Sequence, residues 1–173
     1  RQNQDVHRSR LDLSVGCGEH LKSGETAMKK PGKFKKKFKH SYAELAKVGK
    51  RHYSDKGFCA VIAAAVINDW SFGIAKAKME ARGYRHGCGG VYFHHSLELY
   101  AEHGKVAVPV DPYKYGKTLA SVRNNIPKEG KFVWHVKGHI AASRDGILED
   151  WTAENPKRYR ILECYEILDI SGV

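Results

Sequence analysis

The chain of 173 residues lacks any long apolar segment. Its longest apolar run extends from Cys59 to Ile67 and is much shorter than the roughly 20 residues that a membrane-spanning helix requires. The N-terminus is polar and charged, and it lacks the apolar core of a secretory signal peptide. These absences argue against a membrane protein and favour a cytoplasmic location.

Cysteine is scarce and irregularly placed. The four cysteines are Cys17, Cys59, Cys88 and Cys164, and no two of them form a Cys-x-x-Cys pair. Secreted domains that depend on disulfides show cysteines in a paired, regular framework. We therefore expect reduced thiols and no disulfide framework.

The chain also lacks a recognised structural-zinc spacing. Possible ligand pairs are Cys17 with His20, His86 with Cys88, and the adjacent His94 and His95. We predict neither a metal nor another cofactor. A zinc protein stays an alternative that a metal assay would settle.

Acidic residues are outnumbered, with 19 Asp and Glu against 30 Lys and Arg, which gives a formal net charge of +11. A basic block of this kind favours polyanions such as nucleic acid or an acidic protein face, although a solvated, disordered arm is the alternative. We expect residues 1–40 to form a basic, flexible arm and residues 41–173 to form one folded domain. Much of the excess charge lies in Lys29, Lys30, Lys33, Lys35, Lys36, Lys37 and Lys39.

The rest of the chain has the 42% apolar content of an ordinary globular protein. Helical patterns come first, and a series of strand patterns follows, which is the order of an α+β fold. The predicted helices cover 41–49, 59–69, 71–81, 91–102 and 118–126, and the predicted strands cover 106–110, 132–136, 138–144, 147–151 and 159–168.

Cys59 begins the alanine-rich apolar run, directly after Gly57 and Phe58. A helix that is apolar on all sides must lie centrally in its domain. A thiol in the first turn of such a helix is stabilised as a thiolate by the helix dipole and by unpaired backbone amides. Cys59 is therefore a candidate nucleophile, whereas a single buried cysteine is more often structural.

His139 supplies a candidate base, because it opens a strand pattern about eighty residues further along, directly after Gly138. If Asp145-Gly146 is a two-residue hairpin turn, Ala141 lies opposite Asp150. Residues two apart on a strand share a face, so Asp150 lies diagonal to His139 and within reach of it. A register slip of one residue would replace Asp150 with Glu149.

These segments resemble a group of papain-like, bacteriocin-processing-peptidase-like proteins of bacteriophages and bacteria. The resemblance rests on Gly57-Phe58-Cys59-Ala60 leading into the alanine-rich run, and on the stretch from Gly138-His139 through Asp145-Gly146 to Asp150-Trp151. It covers roughly Ser54 to Thr152. It implies a papain-like α+β fold in which a central N-terminal helix packs on an antiparallel sheet.

The resemblance further implies a Cys-His-Asp triad, with Cys59 as nucleophile, His139 as general base and Asp150 as the residue that orients the base. The expected function is a cysteine hydrolase or acyl-transfer enzyme acting on a protein or peptide amide. Peptidase, deamidase, acyltransferase and transglutaminase-like chemistry all remain open.

The chain departs from that group in three ways. The group has an acidic residue before the cysteine and a glycine after it, where this chain has Phe58 and Ala60. Papain-like enzymes also use an upstream glutamine as an oxyanion donor, and no glutamine lies between Met28 and Cys59. Either Tyr53 or Ser54 takes the place of this glutamine, or the oxyanion hole is incomplete. The alternative function is an inactive papain-like scaffold that binds nucleic acid or an acidic protein through its lysines.

Overall fold

The computed structural model describes residues 40–53, 57–85, 90–150 and 159–170. These residues form a mixed α+β fold with a five-stranded antiparallel sheet, as the order of sequence patterns predicts. The elements in chain order are α1 (Tyr42–Tyr53), α2 (Cys59–Asn68), α3 (Phe72–Glu80), α4 (Phe93–Glu102), β1 (Lys105–Val110), α5 (Leu119–Val122), β2 (Lys131–Val136), β3 (His139–Arg144), β4 (Ile147–Glu149) and β5 (Ile161–Asp169).

The sheet has the order β1-β5-β2-β3-β4. Its two faces carry separate hydrophobic cores. Ile140 and Ala142 of β3 face the layer of α1 to α4, whereas Ala141 packs with Trp134 and the short helix α5 on the opposite face. Alternation along β3 therefore directs Ile140 and Ala142 to one core and Ala141 to the other.

Helix α2 lies at the centre of the helical layer. Every residue from Ala60 to Ile67 is buried, and the helix packs on β3 as well as against α1, α3 and α4. Alanine favours helix and has a small side chain, so three neighbours and a sheet can approach this helix closely. The prediction of a central, wholly apolar helix is confirmed.

Strand β3 spans the length of α2 and contacts both of its ends. Ten helical residues rise about 15 Å and six strand residues extend about 20 Å, so the two elements match. At the far end, Arg144 Nη1 lies 3.4 Å from the Val66 carbonyl and 3.8 Å from Asp69 Oδ1. A cation there complements the negative end of the helix dipole. His139, at the near end of β3, is thereby level with Cys59.

Helix α1 begins with the capping box that the sequence predicts. The Ser41 amide donates to Glu44 Oε2 at 2.8 Å, and the Glu44 amide donates to Ser41 Oγ at 3.4 Å. The predicted end at Gly49 is wrong, because the helix continues to Tyr53. Gly49 is a packing position instead, since a Cβ there would lie 2.7 Å from the Phe72 ring.

Helix α5 is shorter than the predicted span of 118–126, because it ends at Val122. The amides of Asn124 and Asn125 turn back to the carbonyls three residues earlier, and the Asn125 side chain donates to the Ser121 carbonyl. Asparagine side chains compete for backbone groups in this way and end helices early. The remaining elements agree with the predictions to within two residues.

Two sequence predictions fall on residues outside the described ranges. The lysine-rich segment and its boundary with the folded domain stay predictions. Among the described helices, none alone has the length and apolar character to cross a membrane, and the one pair that meets both criteria together, α2 with α3, is bent by 116°.

Candidate active site

Cys59 is the first residue of α2, and its thiol lies at an end of the helix that no side chain caps. Phe58 occupies the capping position without a side-chain hydrogen bond, and the first turn contains no acidic residue. The first intrahelical bond runs from the Ile62 amide to the Phe58 carbonyl at 2.9 Å. The amides of Cys59, Ala60 and Val61 are therefore not used within the helix and remain for a thiolate or a ligand.

His139 opens β3 directly after a tight turn. Gly138 has φ +72°, in the left-handed region that glycine tolerates, and it reverses the chain between β2 and β3. The histidine is buried, with 8% of its surface exposed, and its ring lies 6.4 Å from that of Tyr159. The turn fixes the first strand position, so the imidazole is held beside the start of α2.

Asp150 meets His139 as the hairpin argument predicts. Asp145 (φ 49°) and Gly146 (φ 82°) form the two-residue turn, and Arg144 pairs with Ile147. Both carboxylate oxygens of Asp150 lie 3.0 Å from His139 Nε2, and Asp150 is only 3% exposed.

The neighbouring Glu149 points to the other side of the sheet. Its carboxylate accepts a hydrogen bond from the backbone amide of Tyr42 at the start of α1. The register slip that would have exchanged the two carboxylates does not occur.

The thiol and the imidazole perturb each other in the direction of an ion pair. Burial raises the pKa of the Cys59 thiol, but hydrogen bonding and charge from His139, together with the amides of Ile140 and Ala60, lower it below its ordinary value. Burial lowers the pKa of His139, but Asp150 and Cys59 outweigh that effect and raise it to about 9. Since Nε2 faces Asp150, Nδ1 is the nitrogen left for the thiol. The arrangement favours a thiolate beside an imidazolium.

After His139, backbone amides are the polar groups that act on the Cys59 sulfur. The amides of Ala60 and Ile140 act on the thiolate itself, which leaves the Cys59 amide as a donor for an oxyanion. Tyr53 is not the substitute for the upstream glutamine, because its hydroxyl lies against Gly73 and its ring packs 5.3 Å from that of Phe72. Ser54 lies outside the described residues.

Two cavities adjoin the Cys59–His139 pair. The sequence analysis did not identify the other residues that line them. The larger, about 360 Å³, includes Tyr42 and Lys50 of α1. The smaller, about 90 Å³, includes Phe93 of α4 and His135 of β2, whose rings stack at 4.4 Å. The pairing of His135 with Ile140 across β2 and β3 could have indicated that His135 lines the smaller cavity. No sequence signal indicates that α1 lines the larger cavity.

The other candidate residues do not join this site. Cys164 carries a free thiol on β5, where burial raises its pKa to about 12. The rings of His94 and His95 meet edge to face, and no group of three or more possible metal ligands exists within the described ranges. The alternative zinc pairs Cys17 with His20 and His86 with Cys88 lie outside those ranges.

Comparison of the chain with models of protein families, with curated proteins and with solved structures finds no match in any of the three.

Proposed function

We propose that the protein is a papain-like cysteine hydrolase or acyl-transfer enzyme that acts on a protein or peptide amide through Cys59, His139 and Asp150. The observation that carries the proposal is the continuous chain from a buried carboxylate through an imidazole to a thiol at an uncapped helix end. Structural cysteines have no need of such a partner, and burial alone would raise the thiol pKa rather than lower it.

The arrangement of the parts supports the papain-like assignment. A nucleophilic cysteine opens the central helix, a histidine opens the strand packed on that helix, and the carboxylate comes directly after the next strand. This is the arrangement that the resemblance to papain-like proteins implies for these three residues.

The first half of the reaction follows from the ion pair. The Cys59 thiolate attacks the carbonyl carbon of the amide, and the developing oxyanion accepts a hydrogen bond from the Cys59 amide at the start of α2. His139 then gives its Nδ1 proton to the leaving amine as the C–N bond breaks. The products of this half are the free amine and a thioester on Cys59.

The second half transfers the acyl group. Neutral His139 takes a proton from water, or from an acceptor amine, which attacks the thioester and regenerates the thiolate–imidazolium pair. Asp150 holds the ring so that Nδ1 faces the sulfur throughout, and it stabilises the imidazolium. Hydrolysis and acyl transfer differ only in the acceptor.

The test uses an unbiased substrate search. Wild-type protein and the variants Cys59→Ala, His139→Gln and Asp150→Asn are incubated with a bacterial lysate, and mass spectrometry detects cleavage, deamidation or acyl transfer. We expect Cys59→Ala and His139→Gln to abolish the reaction and Asp150→Asn to reduce it. Cys164→Ala is the matched control and keeps the activity, because that thiol lies on β5, with β2 between it and β3, and lines neither cavity beside Cys59. Products that persist in Cys59→Ala would contradict the proposal.

A second candidate function is favoured by the sequence of the basic segment. Seven lysines between residues 29 and 39, interleaved with Phe34 and Phe38, suit a phosphate backbone and exposed bases. In this alternative the triad is vestigial and the protein binds nucleic acid or an acidic protein. Retention of every measured biological activity by Cys59→Ala would favour it.

A further inference from the structure

The two cavities beside the Cys59–His139 pair differ in size and in charge. Both share Cys59, His139 and Gly138, so a substrate bound across the pair would reach into both. The smaller, about 90 Å³, offers a substrate side chain the less room of the two. The larger, about 360 Å³, has room for a long side chain or a chain terminus.

The larger cavity is lined by apolar side chains together with one lysine. Phe58 and Ile62 form the apolar wall beside Cys59, and Tyr42 and Lys50 belong to α1. Lysine carries a positive charge at neutral pH. No aspartate or glutamate is among the described lining residues, so Lys50 is a cation of this lining that the Cys59–His139 ion pair does not engage.

Lys50 is available to a ligand. Its side chain is exposed and forms no hydrogen bond or ion pair with any other described residue. The nearby carboxylate of Glu149 is bound to the Tyr42 amide instead of to Lys50. A lysine at the wall of a cavity whose described lining includes no carboxylate is suited to an anionic group.

We propose that the larger cavity binds a carboxylate of the substrate through Lys50, next to the amide that Cys59 attacks. The apolar wall takes the aliphatic carbons, and the ammonium takes the negative charge. The carboxylate belongs either to an acidic side chain or to a peptide C-terminus. This inference rests on the proposed function, which supplies the attack by Cys59.

The first test needs no natural substrate. Iodoacetate and iodoacetamide alkylate thiolates alike but differ by one negative charge, so their rate ratio at Cys59 reports the local field. We expect Lys50→Met to lower the iodoacetate-to-iodoacetamide ratio by about three- to tenfold, as suits a unit charge near a protein surface. Lys47→Met is the matched control, because Lys47 is exposed on the same helix outside the cavity and should leave the ratio unchanged.

The second test identifies the source of the carboxylate. A peptide library with free or amidated C-termini is incubated with wild type, Cys59→Ala, Lys50→Glu and Lys47→Glu, and products are sequenced by mass spectrometry. We expect an acidic side chain or a free C-terminus to be enriched beside the reacting bond in wild type and Lys47→Glu. Lys50→Glu should abolish that preference.

The outcomes separate the two proposals. An alkylation ratio that is equal in wild type and Lys50→Met, or Cys59-dependent products without acidic enrichment, would overturn the carboxylate site alone. A uniform loss of rate on acidic and neutral peptides in Lys50→Glu would also overturn it, because that pattern would make Lys50 an oxyanion donor. The absence of any Cys59-dependent product would overturn the proposed function, and the alkylation ratio would still decide the site.

Discussion

Replacing Asp150 with asparagine should return the pKa of His139 toward its ordinary value. In the folded protein this pKa is raised from 6.5 to about 9 against the opposing effect of burial. The hydrogen bond from His139 to Asp150 is the largest of the raising causes, and the charge of Asp150 adds to it. Asparagine keeps the side-chain shape and one oxygen acceptor but removes the charge.

The size of the change can be bounded from these causes. The interactions with Cys59 remain in Asp150→Asn, so part of the elevation survives. We expect the pKa to fall by at least about one unit, which corresponds to about 1.4 kcal/mol of lost preference for the imidazolium. Because the imidazolium exists only below this pKa, the alkaline limit of any ion-pair activity should move to lower pH by the same amount.

The assay is an NMR titration of protein labelled with ¹⁵N at histidine, in which His139 is assigned by the signal missing from His139→Gln. Glu149→Gln is the matched control, because that side chain lies on the other side of the sheet and contacts Tyr42. An unchanged His139 pKa in Asp150→Asn would refute the electrostatic account. A larger fall in Glu149→Gln than in Asp150→Asn would refute the hairpin register.

Three further predictions concern stability and binding. Ser41→Ala should reduce the free energy of unfolding, measured by urea denaturation, by about 1 kcal/mol, because it removes the capping box with Glu44. An unchanged free energy of unfolding would show that the cap does not stabilise the protein. Gly49→Ala should reduce it by about 1–3 kcal/mol, because the new methyl group meets the Phe72 ring, although alanine is the better helix former; an increase would contradict the close approach. Deletion of residues 1–40 should weaken binding to DNA or RNA and flatten its salt dependence, and equal affinity and slope in both proteins would refute a role for the lysine segment.

The parts of the site that follow from local rules could be predicted from the sequence. The Asp145-Gly146 turn fixes the pairing of β3 with β4, and this register alone brings Asp150 to His139 and sends Glu149 to the other face. The all-apolar composition of α2 likewise requires a central position, which places Cys59 at an inner helix end.

The parts that depend on distant contacts could not be predicted. In the sequence, Gly49 indicates the end of a helix. In the structure, a glycine is needed there because the ring of Phe72 packs against it, and Phe72 follows 23 positions later in another helix. Lys50 enters the site only because α1 packs beside the start of α2, and neither periodicity nor a motif encodes that packing. Helix α5 ends earlier than predicted because the Asn125 side chain donates to the Ser121 carbonyl. Average helix propensities do not include such a contact.

The most direct test of the central claim is the pH dependence of Cys59 alkylation by iodoacetamide, with Cys164 as the internal reference. Thiolates react and thiols do not, so the rate profile reports the pKa of each cysteine. We predict that the Cys59 profile has its midpoint below 9.0, that Cys164 reacts only at much higher pH, and that His139→Gln moves the Cys59 profile to higher pH. A Cys59 profile with the ordinary midpoint near 9.0, unaffected by His139→Gln, would contradict the ion pair on which the proposed function depends.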